Sequence, residues 1–230
     1  MENQLKFGGR QTRRQFIKDS ATGIGALALS SFSIGQLYAC ETPTDKKLGI
    51  ALVGLGNYST RKLAPALQLS KYCYLAGIVT GTPEKAEKWA EEYNIPKKNI
   101  YNYENFDDIK DNSEIDIVYV VLPNGMHAEF TIRAAKAGKH VICEKPMANT
   151  VEEAQAMVKA CKDAGVLLQI GYRLQYDPYT IELQNVSREK RLGEVKVIQT
   201  GNAFYGVNFD NWRFSDKALS GGGARMDMGV

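Results

Sequence analysis

The sequence predicts an α/β fold: a parallel sheet with helices on both faces, followed by the truncated start of an α+β domain built on an open-faced sheet. Two observations carry the first part. Residues 115–122, IDIVYVVL, form an apolar, mostly β-branched run of the kind found in strands buried on both faces. Pro123, Asn124 and Gly125 then break the run. Phe130, Ile132, Ala134, Ala135 and Ala137 mark a short helix closing at Gly138, and His140–Cys143 reads as a second strand. Such a strand–helix–strand unit joins parallel strands by a right-handed crossover. The third observation is a change of pattern. Residues 194–200 alternate apolar and polar, as a strand with one wet face does, so a boundary near Arg173 divides the chain into 48–173 and 174–230.

Taken in order, residues 1–40 read as an export signal. Thr12-Arg13-Arg14-Gln15-Phe16-Ile17-Lys18 matches the twin-arginine pattern, and a mildly apolar run follows at 21–35. That run is too short and too rich in Gly and Ser to span a membrane. A surface helix with two adjacent arginines is the plainer alternative, and position, apolar run and polar flank together outweigh it. Leu37-Tyr38-Ala39-Cys40 resembles a lipobox; a lipid anchor on Cys40 and simple cleavage before it are both open. Residues 41–47 form a short linker, and the expected location is the periplasm.

Five of the 29 basic and two of the 26 acidic residues fall within the first 40, so the remainder is balanced at 24 of each. That leaves no nucleic-acid footprint. Cys73, Cys143 and Cys161 are widely spaced in apolar segments, without zinc or redox-pair spacing, and are expected as buried thiols.

Leu48–Val53 is a short apolar strand running into Gly54-Leu55-Gly56-Asn57-Tyr58-Ser59, a GxGxx turn with Ser at the usual third glycine. Two glycines in a turn are weak evidence alone. A helix at 63–69 and a strand at 72–79 supply the context in which such a turn lets backbone approach a pyrophosphate at a helix N-terminus. Ser59 is expected to loosen the helix–strand contact slightly. At the tip of the second strand stand Thr80, Gly81, Thr82 and, one turn on, Lys85, with no acid to hold a ribose 2′-hydroxyl. Thr80, Gly81 and Lys85 suit a 2′-phosphate, so NADP is expected rather than NAD. Alternatively Thr82 caps the helix from Pro83 while Lys85 is solvated, and both readings can hold.

In parallel sheets ligands sit beyond the carboxyl ends of the strands. Pro123, Asn124, Glu144 and Lys145 fall there, and Lys145, held by Pro146, is a candidate for polarising a substrate oxygen. His127 reads as packing or capping its helix and His140 as structural. Neither has a triad partner, and two histidines make no metal site. Thr150-Val151-Glu152-Glu153 caps a helix running to Gly165. A strand at 166–170 ends in Gly171-Tyr172-Arg173, and Asp177-Pro178 starts a helix ending near Gly193. Trp212, Arg213 and the glycines at 221–223 look loop-like. The sequence stops within the start of a helix at 226–230, so the second domain is expected to be incomplete.

These motifs resemble the Gfo/Idh/MocA oxidoreductase family, and within it the glucose–fructose oxidoreductase branch. The matching stretches are VGLGNY (53–58), TGTPEKA (80–86), VLPNGMHAEF (121–130), AGKHVICEKPMA (137–148), IGYRLQYDP (170–178), Trp212-Arg213 and GGGARMDMGV (221–230). The resemblance implies a Rossmann-type NADP-binding domain followed by a sheet domain that holds a sugar and mediates homo-oligomerisation. It implies Lys145 as catalytic lysine, also touching cofactor and sugar, and Asp227 as its partner. On the cofactor side it implies Gly54, Gly56, Asn57, Tyr58, Thr80, Gly81, Lys85, Pro123, Asn124, His127, Glu144, Arg173, Trp212 and Arg213. Tyr176 and Asp177 would face the sugar, and the general acid/base, Tyr or His, would stand one position past Val230. Against the branch, only residues 41–47 lie between the expected cleavage site and the first strand, where its members have a long cofactor-wrapping arm.

The leading expectation is an exported NADP-dependent sugar oxidoreductase acting at an aldose C1, with a second sugar recycling the cofactor in place. A redox-assisted glycosidase would prefer NAD, which Thr80 and Lys85 oppose. A non-catalytic cofactor-binding fragment is the third reading. No metal is expected.

Overall fold

A computed structural model describes residues 46–199, 201, 212–222 and 226, with side chains at 213 and 214 excluded. The twin-arginine segment, Cys40, the Arg213 side chain and Asp227 lie outside the described residues.

Six strands form one sheet: β1 (Leu48–Val53), β2 (Cys73–Val79), β3 (Ile100–Tyr101), β4 (Ile117–Val120), β5 (His140–Cys143) and β6 (Leu168–Ile170). Their order is β3-β2-β1-β4-β5-β6, and every pairing is parallel. The chain therefore winds outward twice from β1, and its direction reverses between β1 and β4. Alternation along each strand divides the core between two faces. Ala51 and Val53 point into one layer with Phe106, Phe130, Val141 and Met157. Ile50 and Leu52 point into the other with Ile78, Trp89 and Ile95. Aliphatic side chains on both faces of the central strands are what a sheet covered twice demands.

The helices are α1 (Ala64–Leu69), α2 (Pro83–Tyr93), α3 (His127–Lys136), α4 (Val151–Asp163), α5 (Pro178–Arg188) and two single turns, α6 (Trp212–Ser215) and α7 (Lys217–Ser220). The α4 cap is a full capping box: Thr150 Oγ1 accepts from Glu153 N at 3.1 Å, and the Glu153 carboxylate accepts from Thr150 N. The helix after the glycine turn starts earlier than its apolar pattern suggests, at Asn57, and passes through a π turn at Ser59–Leu63. Pro65 has no N–H and its ring crowds the carbonyl four residues back; the wider turn, closed by Ala64 N on Ser59 O, accommodates it.

Four expectations need correction. Residues 194–199 form no strand: they pair with nothing among the described residues, and Val197 and Ile198 are 83% and 78% exposed. Alternation marks a half-buried surface, but a strand exists only where a neighbour takes its hydrogen bonds. Helix α5 ends at Arg188, before Gly193, because Lys190 adopts a left-handed conformation (φ +52°) and turns the chain out. Trp212–Ser215 is a helical turn where loop was expected, and Asp216 caps the next one by accepting from Leu219 N at 3.1 Å. Cys143 and Cys161 are buried thiols as expected, whereas Cys73 is only half-buried. Among the described residues no helix is long and apolar enough to cross a membrane.

Candidate functional site

The carboxyl ends of β1, β2, β4 and β5 lie along one edge of the sheet, and the crevice that such sheets offer a ligand falls there, where strand order reverses between β1 and β4. Gly54 leaves β1 with φ +95°, and a Cβ there would lie 2.5 Å from Val121 O, so only glycine fits. At Gly56 a Cβ would meet nothing within 4 Å, which leaves the turn's backbone accessible. Asn57 is exposed and Tyr58 half-buried at the helix start. Ser59 corrects the expectation of a loosened contact: fully buried, its hydroxyl donates to Gly54 O at 2.6 Å and ties the helix to the turn. The backbone and helix N-terminus thus form the cradle that a pyrophosphate requires.

At the β2 tip Thr80 is buried, and its Oγ1 accepts from Thr82 N at 3.2 Å. The Thr82 side chain makes no capping bond, so the cap reading fails for that hydroxyl; its carbonyl accepts from Lys85 N and Ala86 N. Gly81 lies against the Tyr103 ring, and Lys85 is exposed on the first turn of α2. No acid stands on this tip, the charge pattern that suits a 2′-phosphate.

Across the reversal lie Pro123, Asn124, Glu144 and Lys145. Asn124 is buried, and its side-chain amide donates to Ser220 O at 2.7 Å, 96 positions away. Asn149 likewise donates to Ala218 O at 3.2 Å, so two asparagines draw α7 onto the strand-end turns. Asn124, expected at the cofactor, has its side-chain amide engaged in this anchor. Lys145 is half-buried between Glu144 and a buried Pro146. Glu144 Oε1 accepts from the Tyr119 hydroxyl at 2.6 Å, while Oε2 faces Lys145 N at 3.3 Å. Burial, reinforced by this bond to Glu144, pushes the Tyr119 phenol far above its ordinary range. Tyr58 is also raised, by burial and then by the Glu144 charge, with Arg173 opposing. The pyrophosphate-side turn, Glu144 and Arg173 therefore share one electrostatic neighbourhood.

His127 is fully buried at the start of α3. Its Nδ1 lies 2.7 Å from Pro146 O and its Nε2 2.9 Å from Leu122 O, bridging the ends of β4 and β5. Packing describes it better than cofactor contact. Arg173 is exposed on the turn Arg173–Tyr176, and Tyr176, 69% exposed, accepts weakly from Gln169 Nε2 at 3.3 Å. Asp177 caps α5 through Tyr179 N and Thr180 N, both at 3.1 Å. Trp212 is half-buried in α6. Among the described residues no three His, Cys, Asp or Glu side chains are placed to hold a metal ion.

Tyr119 is a site residue that the sequence motifs do not single out. Its signal was a tyrosine inside the aliphatic β4 run, one strand over from Glu144 and paired in register with Ile142.

Comparison with known proteins agrees with this geometry. A family model described as an oxidoreductase family with an NAD-binding Rossmann fold matches residues 48–172. The chain belongs to the Gfo/Idh/MocA oxidoreductase family. The D-xylose 1-dehydrogenase [NADP(+)] of Haloarcula marismortui is 32% identical over 195 residues, covering 83% of this chain and 53% of that protein. Levoglucosan dehydrogenase of Pseudarthrobacter phenanthrenivorans is 31% identical over 170 residues, 72% of this chain and 41% of that protein. The crystal structure of an aldose–aldose oxidoreductase from Caulobacter crescentus, complexed with glycerol, superposes with a TM-score of 0.77 at 48% identity, covering 79% of this chain and 54% of that one. The chain spans about half the length of such relatives.

Proposed function

We propose that this chain forms the cofactor-binding part of an exported, NADP-dependent sugar oxidoreductase, with hydride transfer between a sugar C–OH, aldose C1 foremost, and nicotinamide. One observation carries the reading. The Gly54 turn, the acid-free Thr80–Gly81 tip and the Glu144-Lys145 strand end converge on one crevice, in a chain 48% identical to an aldose–aldose oxidoreductase.

The residues present fit NADP, which supplies the two-electron acceptor when bound. Backbone at Gly54, Gly56, Asn57 and Tyr58 would hold the pyrophosphate; Thr80, Gly81 and Lys85 would take the 2′-phosphate. Pro123, Asn124 and Glu144 would flank the nicotinamide, with Arg173, Trp212 and Arg213 nearby. The Lys145 ammonium would donate a hydrogen bond to the reacting hydroxyl and stabilise negative charge as its proton leaves. Asp227 would stand beside it, and Tyr176 and Asp177 would approach the sugar.

The twin-arginine segment supports export to the periplasm, with lipid at Cys40 as an alternative tether. Free NADP is scarce outside the cytoplasm, so a second sugar re-oxidising it in place completes a cycle, in keeping with the relative named for two aldoses. Homo-oligomerisation belongs to the same reading.

The test follows reduced-nicotinamide absorbance when aldoses are added to the full-length protein loaded with NADP. Reduction is expected, and Lys145→Ala should abolish it while NADP stays bound. No reduction with any aldose, or full turnover in the variant, would overturn the assignment.

A further inference from the structure

Resting on the NADP reading above, we propose that Tyr119 is a positioning residue that fixes the Glu144 carboxylate at the rim of the crevice, so that the site favours oxidised over reduced cofactor.

The geometry for this is confined to three elements. Tyr119 belongs to β4, and its hydroxyl crosses to β5 to donate to Glu144 Oε1 at 2.6 Å. Glu144 N donates back to Val120 O at 3.0 Å, which holds the main chain of the acid beside the tyrosine's own strand. From the β6 side Gly171 closes the arrangement. A Cβ at 171 would lie 2.8 Å from Glu144 Oε1 and 3.3 Å from the Tyr119 hydroxyl, and Gly171 N donates to Cys143 O at 2.8 Å. The carboxylate therefore has one seat, made by a hydroxyl above it and an absent side chain beside it.

That seat lies at the carboxyl edge of the sheet. Glu144 follows directly on β5 and is tied to β4 through Tyr119 and Val120 O, so it stands one strand from the β1 turn proposed to carry the pyrophosphate, on the side of the reversal opposite the Thr80 tip. In keeping with that placement, the Glu144 charge adds to burial in raising the Tyr58 phenol. Oxidised nicotinamide is a cation and the reduced ring is neutral, so a fixed anion on this side favours the oxidised form. Lys145 and Arg173 set the opposing background, against which a carboxylate free to swing into water would count for little. Tyr119 withholds that freedom.

The experiment measures dissociation constants for NADP+ and NADPH separately on the full chain and on Glu144→Gln, Tyr119→Phe and Gly171→Ala, with thermal melts alongside. Glu144→Gln should shift the ratio of the two constants against NADP+ by on the order of tenfold, the scale for one charge several ångströms away in a half-buried site. Tyr119→Phe and Gly171→Ala, which keep the charge but spoil its seat, should shift it the same way by roughly threefold, a fraction of that electrostatic effect. An unchanged ratio in all three, with both affinities falling together or only the melting temperature dropping, would overturn the inference and leave the nucleotide site standing. Failure of the unaltered chain to bind either form would overturn the NADP reading itself.

Discussion

The His127 ring stands between Pro146 O and Leu122 O, 2.7 and 2.9 Å from its two nitrogens. This side chain joins the ends of β4 and β5 and sets where Lys145 leaves the sheet. A neutral imidazole donates its one N–H to one of these carbonyls and packs against the other, so replacing it leaves that carbonyl unpaired beside a cavity. His127→Ala should cost roughly 2–4 kcal/mol, one orphaned buried polar group at about 1–3 kcal/mol together with the lost packing. Urea unfolding monitored by far-UV circular dichroism measures it; a loss well under 1 kcal/mol would contradict the bridging role.

Ser59 joins turn and helix through its bond to Gly54 O. Ser59→Ala should destabilise by about 1 kcal/mol, the usual worth of one buried hydrogen bond. Ser59→Gly should lose more, through added chain entropy in a helical turn. Equilibrium denaturation of the two variants reads the order directly.

Asn124 holds α7 by its bond to Ser220 O. Asn124→Ala should raise amide hydrogen exchange at residues 217–221 and leave the β1 and β4 amides protected, because the anchor is local. Unchanged exchange at 217–221 would mean that α7 is held by other contacts.

The alkaline limb of stability should be steep. Burial pushes the Cys143 thiol up to about 12, from an ordinary value of 9.0, and Tyr119 is raised in the same direction. The folded state keeps these protons at pH values where the unfolded chain has lost them. Stability is therefore fully present below pH 9 and is lost as pH rises from about 9 towards 12, by up to about 1.4 kcal/mol per pH unit for each such group. Cys143→Ala should flatten that slope while lowering stability near neutrality, as seen in denaturation midpoints across the pH range.

Much of this architecture is written locally in the chain. Leu48–Val53 and His140–Cys143 are strands because aliphatic residues fill both faces, and the Thr150–Glu153 capping box announces α4. What sequence hid depends on contacts across the fold. The anchoring of α7 joins residues 96 apart, and Tyr119 reaches Glu144 only through the parallel pairing of β4 with β5. Thr80 in place of Thr82 takes the turn's hydrogen bond because the chain leaves β2 bent enough for its hydroxyl to reach two residues on. Residues 194–199 alternate as a strand would, but no strand among the described residues takes their hydrogen bonds.

If the crevice takes NADP, selected at an acid-free tip with Lys85 one turn away, calorimetric titration of the chain with NADP and with NAD should show it, using Lys85→Ala as control. NADP should bind at least about tenfold tighter than NAD, with Lys85→Ala eroding most of that preference and leaving NAD affinity unchanged. Equal or tighter binding of NAD would rule out selection of the 2′-phosphate at this tip.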